Sequence, residues 1–239
     1  RRGGRRAAGG GRDAQQGERV SVGFIIGAGA QGRIIAETWR AQDPQRVLSF
    51  LDDAAALRGQ CVQGIHVTAG VDALASLDLA DSGVVLAIGD NGRRLELARR
   101  WDARGVPWAS VVHPSAVLMP SAEVGGGTVV FAQAVVNSGA RVGRHVIINS
   151  AAIVEHDTVV EDGVSLSPGV CMGGRVHLER GAFIGAGATL APRVRIGAGT
   201  VVGAGACVVD DLPPGVLAYG VPARVVRALS DDFDYRRLL

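Results

Sequence analysis

The chain predicts two architectures in series: an α/β domain with a small parallel sheet, then an all-β parallel β-helix. Three observations carry this. Glycine supplies 35 of 239 residues and aromatics only 4%, where about 7% glycine is usual. That composition suits many tight turns around an aliphatic core. Residues 21–105 alternate short apolar runs with helically spaced segments. From Val112 onward an aliphatic residue or methionine recurs at every sixth position. No Gly-x-y period is present, which excludes collagen.

With 47% hydrophobic and 20% charged residues, the chain supports a substantial core, and global disorder is excluded. No uninterrupted apolar run reaches the ~18 residues of a membrane span, and no signal-peptide pattern opens the sequence. Cys61, Cys171 and Cys207 are odd in number and far apart, fitting neither a disulfide framework nor a zinc spacing. A reduced, intracellular, cytoplasmic protein is expected. The net charge of +2 is uneven: six arginines against two acids give residues 1–19 a charge of +4, leaving −2 for the rest. This Gly/Arg/Ala-rich leader is expected to be disordered, and with no basic patch recurring, nucleic acid is not an expected partner.

Residues 20–110 read as the α/β domain. SVGFIIG (21–27) is a strand ending in glycine, and AQGRIIAETWRAQ (30–42) has helical spacing. VLSFLDD (47–53) and VVLAIGDN (84–91) read as strands, and RRLELARRWDARG (93–105) as a helix closed by Gly105. The loop Gly27-Ala-Gly29-Ala-Gln-Gly32 joins a strand to a helix, with Asp52 and Asp53 some 20 residues on. Alone, it is a Rossmann-like dinucleotide fingerprint: backbone N–H groups at a helix start receive phosphate, and the acid takes a ribose hydroxyl. The second mononucleotide-binding half is missing, and no dehydrogenase catalytic domain remains. The same physics suits a nucleotide-sugar diphosphate. Gly89, within IGDN, ends a strand at the same rim, as a ligand contact or a plain strand-to-helix turn.

Residues 111–227 read as the β-helix. Steps of six from Val112 to Val208 meet only aliphatic residues or Met172, and the fourth residue after each is small or aliphatic. Each hexad is a short strand plus a turn, and three hexads make a triangular coil of about 18 residues, stacked at ~4.8 Å into a prism of roughly 27 Å. Gly125, Gly143, Gly163, Gly185, Gly197 and Gly203 fall at corners and are expected to supply turn conformations that other residues resist. Residues 228–239 form a tail.

These hexads, the closing GVPARVVR (220–227) and the EHD at 155–157 resemble the hexapeptide-repeat acyltransferase superfamily. Within it, the α/β domain preceding the prism resembles the branch of acetyl-CoA-dependent N-acetyltransferases of nucleotide-linked 4-amino sugars and the sialic acid O-acetyltransferases. The resemblance covers about residues 20–227. It implies a left-handed β-helix, a homotrimer, acetyl-CoA as co-substrate and a place in glycan or O-antigen biosynthesis.

His156 is the strongest catalytic candidate. It falls two places after inward Val154, hence at a corner, and one coil on stands Gly174, within Gly173-Gly174. Such an imidazole can take a proton from an amine while an exposed Gly174 N–H stabilises the thioester oxygen, and adjacent Asp157 can orient the ring. A solvated turn histidine would show the same spacing; the resemblance implies the general base. Glu155 matches the motif without an assigned role.

His145, His156 and His177 occupy different hexad slots, so a three-histidine zinc site is not expected and no metal is required. His113, before Pro114, reads as structural. Ser150, Pro168, Ala186 and Ala204 share one corner line, narrow enough for a pantetheine arm or simply what tight coils need. By resemblance, Ser165, Ala186 and Ala204 contact acetyl-CoA. Gly29, Ala30 and Gln31 match the phosphate loop, where many family members have His in place of Gln31, and Asp52 and Asp53 match the acidic pair.

The expected function is transfer of acetyl to the 4-amino group of a UDP- or GDP-linked sugar. Alternatives are a sialic acid O-acetyltransferase, an NAD-binding or regulatory solenoid protein, and a purely structural prism.

Overall fold

A computed structural model describes residues 21–230; the expected leader and all but the first three residues of the tail lie outside them. The α/β domain contains β1 (Val22–Ile26), α1 (Ala30–Gln42), β2 (Val47–Leu51), β3 (Cys61–Val62), β4 (Ile65–Ala69), β5 (Gly83–Leu86) and α2 (Asn91–Asp102). The sheet order is β3-β4-β2-β1-β5, parallel except for the β3–β4 pair. The strand expected over 84–91 ends at Leu86, because the chain turns there. Asp90 caps α2 by accepting the Arg93 N–H at 2.8 Å, so the helix starts at Asn91 rather than 93. The β3–β4 hairpin was not expected, although Ile65 and Val67 are buried on either side of exposed His66, the alternation of a half-buried strand.

The prism follows the hexads. Seventeen two-residue strands run from Val111–Val112 to Cys207–Val208, and the first fourteen pair in parallel with the strand 18 residues on, as in Ile147↔Ser165 and Val159↔His177. The stepped aliphatic residues point inward, and the buried set from Val130 to Val208 forms one continuous core. The chain closes with an antiparallel hairpin, Val216–Gly220 and Ala223–Ala228, which contains GVPARVVR.

The turns correct the expectation for the corner glycines. Three residues after each inward position, from Gly127 to Gly205, φ is positive. Gly163 belongs to this set, but Gly125, Gly143, Gly185, Gly197 and Gly203 do not. These five are small because coils touch there: a Cβ on Gly185 would lie 2.5 Å from Ala204 N, and one on Gly197 2.2 Å from Pro214 N. The left-handed slot also takes Gln133, His145, Ala151, Asp157, Arg175 and Arg193, so a repeated strain of ~1 kcal/mol or more per turn is absorbed by the stack.

The three faces differ. Outward residues Val111, Val129, Ile147, Ser165, Phe183 and Val201 are all buried, because the α/β domain and the closing hairpin cover this face. Ile35 and Trp39 of α1 pack in one cluster with Val111, Val129 and Ile147. A second face shows Val117, Val135, Ile153, Cys171, Thr189 and Cys207, and a third shows Glu123, Arg141, Val159, His177 and Arg195. No helix among the described residues is long and apolar enough to cross a membrane.

Candidate active site

His156 stands at the vertex between the two uncovered faces, and its side chain is 52% exposed. Its ring lies against Gly174: a Cβ there would come within 2.3 Å of His156 Nε2. Nδ1 pairs with Asp157 Oδ2 at 3.0 Å, so the carboxylate holds the proton on Nδ1 and leaves the Nε2 lone pair over Gly174. The bond from His156, then one from Arg175 (Nε to Oδ2 3.5 Å), keeps the Asp157 carboxyl below its ordinary pKa. Asp157 therefore stays ionised as pH falls into the range where free aspartate protonates.

The backbone of this vertex leaves the Gly174 N–H open beside the ring. The residue preceding the vertex caps the following N–H in other coils: Asn137 Oδ1 accepts from Ser138 N at 2.9 Å, and Glu155 Oε2 from His156 N at 3.0 Å. Position 192 is proline and has no N–H. At Gly174 the preceding residue is Gly173, with no side chain, and no acceptor among the described residues takes the Gly174 N–H. An imidazole nitrogen thus lies beside a residue with an open amide donor, a pairing that suits deprotonation of a nucleophile and stabilisation of an oxyanion. Glu155 gains a structural role as a cap, and it also binds Asn137 Nδ2 at 3.1 Å.

The line expected to carry the acyl donor lies at another vertex. Ser150, Pro168 and Ala186 carbonyls accept in turn from Gly169, Gly187 and Gly205 at 3.0, 2.9 and 2.8 Å, which stacks Ser150, Pro168, Ala186 and Ala204 in register. A Cβ on Gly187 or Gly205 would meet nothing within 4 Å, so the backbone there is open to a ligand. A cavity of about 190 Å³ joins this vertex to the α/β domain, lined by Gln31 and Gly89 on one side and Asn149, Ser165, Ser167 and Ala186 on the other. Residues expected to hold two different substrates therefore meet. Gln31 Nε2 is buried without a partner among the described residues, a donor awaiting an acceptor. Ser165 Oγ is already engaged, donating to Asn91 Oδ1 at 2.7 Å and accepting from Arg94 Nη2 at 3.1 Å. It contributes wall, not a free hydroxyl.

In the glycine loop each glycine has its own reason. Gly27 adopts φ +105°, and a Cβ on Gly32 would lie 2.0 Å from Gly27 O, while Gly29 faces open space, as a close-approaching phosphate requires. The N-cap Gly29 makes no side-chain cap bond, so the start of α1, at Ala30 and Gln31, presents unsatisfied N–H groups. Asp52 braces the loop, accepting Ala28 N and Ala54 N at 2.8 Å each, and Asp53 accepts Val71 N at 2.9 Å. A second cavity of about 120 Å³ brings together Gly27, Asp52, Asp53, Ile88 and Arg93.

The remaining histidines lie elsewhere. His113 Nδ1 bonds Ser115 Oγ at 2.8 Å, and His177 Nε2 bonds Glu161 Oε1 at 2.8 Å. A depression of about 370 Å³ on the charged face, between Glu123, Arg141, Glu161 and Arg180, contains none of the expected site residues.

Known proteins share both halves of this architecture. The PglD N-terminal domain model matches residues 24–101, and the bacterial transferase hexapeptide model (six repeats) matches residues 175–210. The acetyltransferase domain of PglB from Neisseria gonorrhoeae FA1090, solved in complex with acetyl coenzyme A, is 34% identical, with TM-score 0.83 over 87% of this chain and 100% of that one. The chain belongs to the PglD-type hexapeptide acetyltransferases. PerB from Caulobacter crescentus, solved with CoA and GDP-perosamine, is 36% identical over 85% of this chain and 96% of that one, with TM-score 0.79. A UDP-N-acetylbacillosamine N-acetyltransferase of Bacillus subtilis (strain 168) is 36% identical over 106 residues, 44% of this chain; the match spans about half (49%) of that relative's length.

For this PglD-type chain, four residues at or beside the site escape a reading by motif: Asn91, Arg93, Arg94 and Asn149. Two had a signal. Asn91 and Arg94 share the buried stripe of α2 with Leu95, Ala98 and Trp101, and polar residues on an apolar stripe need partners. Arg93 lies in the first turn, where the helix dipole disfavours a cation, so its cost there points to another use.

Proposed function

We propose that this protein transfers the acetyl group of acetyl-CoA to the 4-amino group of a UDP- or GDP-linked amino sugar, in glycan biosynthesis. The α/β domain, residues 20–110, holds the nucleotide at Gly29, Ala30, Gln31, Asp52, Asp53 and Gly89. The β-helix, residues 111–227, carries the acyl donor along Ala186 and Ala204, past the wall formed by Ser165. His156 Nε2 removes a proton from the amine as its nitrogen attacks the thioester carbonyl. The Gly174 N–H donates to the oxyanion of the tetrahedral adduct. Collapse breaks the C–S bond, and the imidazolium returns its proton to the departing thiolate. Asp157 stabilises the imidazolium between these steps. One observation supports the reading: Nε2, on a ring held by Asp157, lies against Gly174, whose amide has no acceptor among the described residues.

The working unit is a homotrimer whose sites are shared between chains. The α/β domain covers the face opposite the His156 vertex, so a sugar held in one chain is separated from that chain's own His156 by the prism. The uncovered apolar face, with Val117 47% exposed and Val135, Ile153 and Cys171 in the same row, is suited to packing against another copy. The cytoplasm, where acetyl-CoA is made, is the expected compartment.

The test is thiol release from acetyl-CoA with UDP- and GDP-linked 4-amino sugars, against free sialic acid as acceptor. Release with sialic acid alone moves the reading to O-acetylation, and release with neither removes it. NAD(H) binding without any thiol release would favour a regulatory protein. Mixing His156→Ala chains with glycine-loop-defective chains should restore activity; a mixture as inactive as its parts rules out shared sites.

A further inference from the structure

The first turn of α2 ties three coils to the rim of both cavities. Arg94 Nε donates to His145 O at 2.9 Å and Nη2 to Gly163 O at 2.9 Å, while Asn91 Nδ2 donates to Gly181 O at 3.0 Å. These acceptors are left-handed turn residues spaced by one coil on one vertex. The same guanidinium donates through Nη1 to Ile88 O at 2.7 Å and Gly89 O at 3.4 Å. Ile88 borders the cavity of Asp52 and Asp53, and Gly89 borders the cavity of Gln31 and Ala186.

Resting on the acetyl-transfer reading, we propose that Arg94 is a positioning residue, which sets the distance between the nucleotide-linked acceptor and the acyl donor. Its planar fork fixes the Ile88–Gly89 rim against the prism from both sides at once. A lysine in its place has one nitrogen, which cannot reach both sets of carbonyls. Misplacement of reacting groups by about 1 Å costs about a hundredfold in rate.

The test compares Arg94→Lys and Asn91→Ala with the wild-type chain on two acceptors: the nucleotide-linked amino sugar, and the same amino sugar without its nucleotide, which the α/β domain does not hold. Arg94→Lys should lower kcat on the linked acceptor about a hundredfold. It should leave turnover of the free sugar within about twofold, since His156, Asp157 and Gly174 lie at another vertex and make no bond to Arg94. Asn91→Ala, which removes one arm of the clamp, should cost about tenfold on the linked acceptor. Hydrogen exchange should rise at residues 88–93 and not along 129–208. Equal losses on both acceptors, no loss, or unchanged exchange overturns the proposal, and if Arg94→Lys fails to fold, Asn91→Ala decides by the same contrasts. A wild-type chain inactive toward every nucleotide-linked amino sugar instead strikes the acetyl-transfer reading, and the exchange contrast then judges the clamp by itself.

Discussion

Two vertices of this prism each carry a histidine laid over a glycine one coil away, and they have opposite chemistry. His156 rests on Gly174 and His145 on Gly127; in both pairs a Cβ on the glycine would come within 2.3 Å of a ring nitrogen. His156 is half exposed, with Asp157 on Nδ1. His145 is 2% exposed, its two nitrogens have no partner among the described residues, and it meets the Trp108 ring edge-on at 4.6 Å. Burial, then the charge of Arg144, depresses the His145 pKa to about 4, so this ring is neutral at physiological pH. A histidine over a glycine is thus a packing solution that the repeat offers anywhere. What makes one of them a base is the vertex it faces and the acid beside it.

The comparison breaks most sharply at His156. His156→Ala should lower kcat by 10²–10⁴-fold with an unchanged melting temperature, measured as thiol release beside a thermal melt. If turnover stays within about tenfold, the two vertices do not differ as argued. Next comes Gly174→Ala, whose methyl would occupy the place of Nε2 and displace the ring. About a hundredfold loss of kcat is expected, with acetyl-CoA affinity retained in a titration. Asp157→Asn keeps the shape and removes the charge that stabilises imidazolium, so about a tenfold loss is expected. The smallest effect on turnover is expected from His145→Leu, whose signature is stability. A histidine with a folded pKa near 4 and an unfolded pKa near 6.5 contributes full stability above pH 6.5 and loses it as pH falls toward 4. That difference amounts to about 3 kcal/mol. Denaturant melts across pH 4–7 should show a shallower pH dependence in His145→Leu than in wild type; identical slopes would remove the buried-neutral assignment.

The prism was legible almost residue by residue, because a strict period of six leaves one way to point the aliphatic side chains inward. His156 over Gly174 followed from that register alone. The left-handed slot was not legible, because only some of its occupants are glycine: Asp157 and Arg175 sit in the conformation of Gly163 and Gly181. Corner glycines such as Gly185 were instead read as turn formers when contact with the next coil requires them. The α/β domain was harder. The glycine loop identified itself by spacing, but the short β3–β4 hairpin lacked a turn signal strong enough to separate it from loop. The bond of Ser165 to Asn91 links positions 74 apart in sequence, beyond the reach of any local pattern.

The constant step of 18 residues between stacked partners also limits how the chain can change in length. Adding or removing a whole coil slides everything downstream along the axis and leaves each side chain at its own angle around it. Six residues would turn the downstream half by a third of a revolution, and any number that is not a multiple of six would exchange inward for outward positions. Because His156 and Gly174 belong to neighbouring rungs, even a whole coil inserted between them would separate the base from its amide. Length variation compatible with function is therefore quantised, and the interval from 156 to 174 is closed to it.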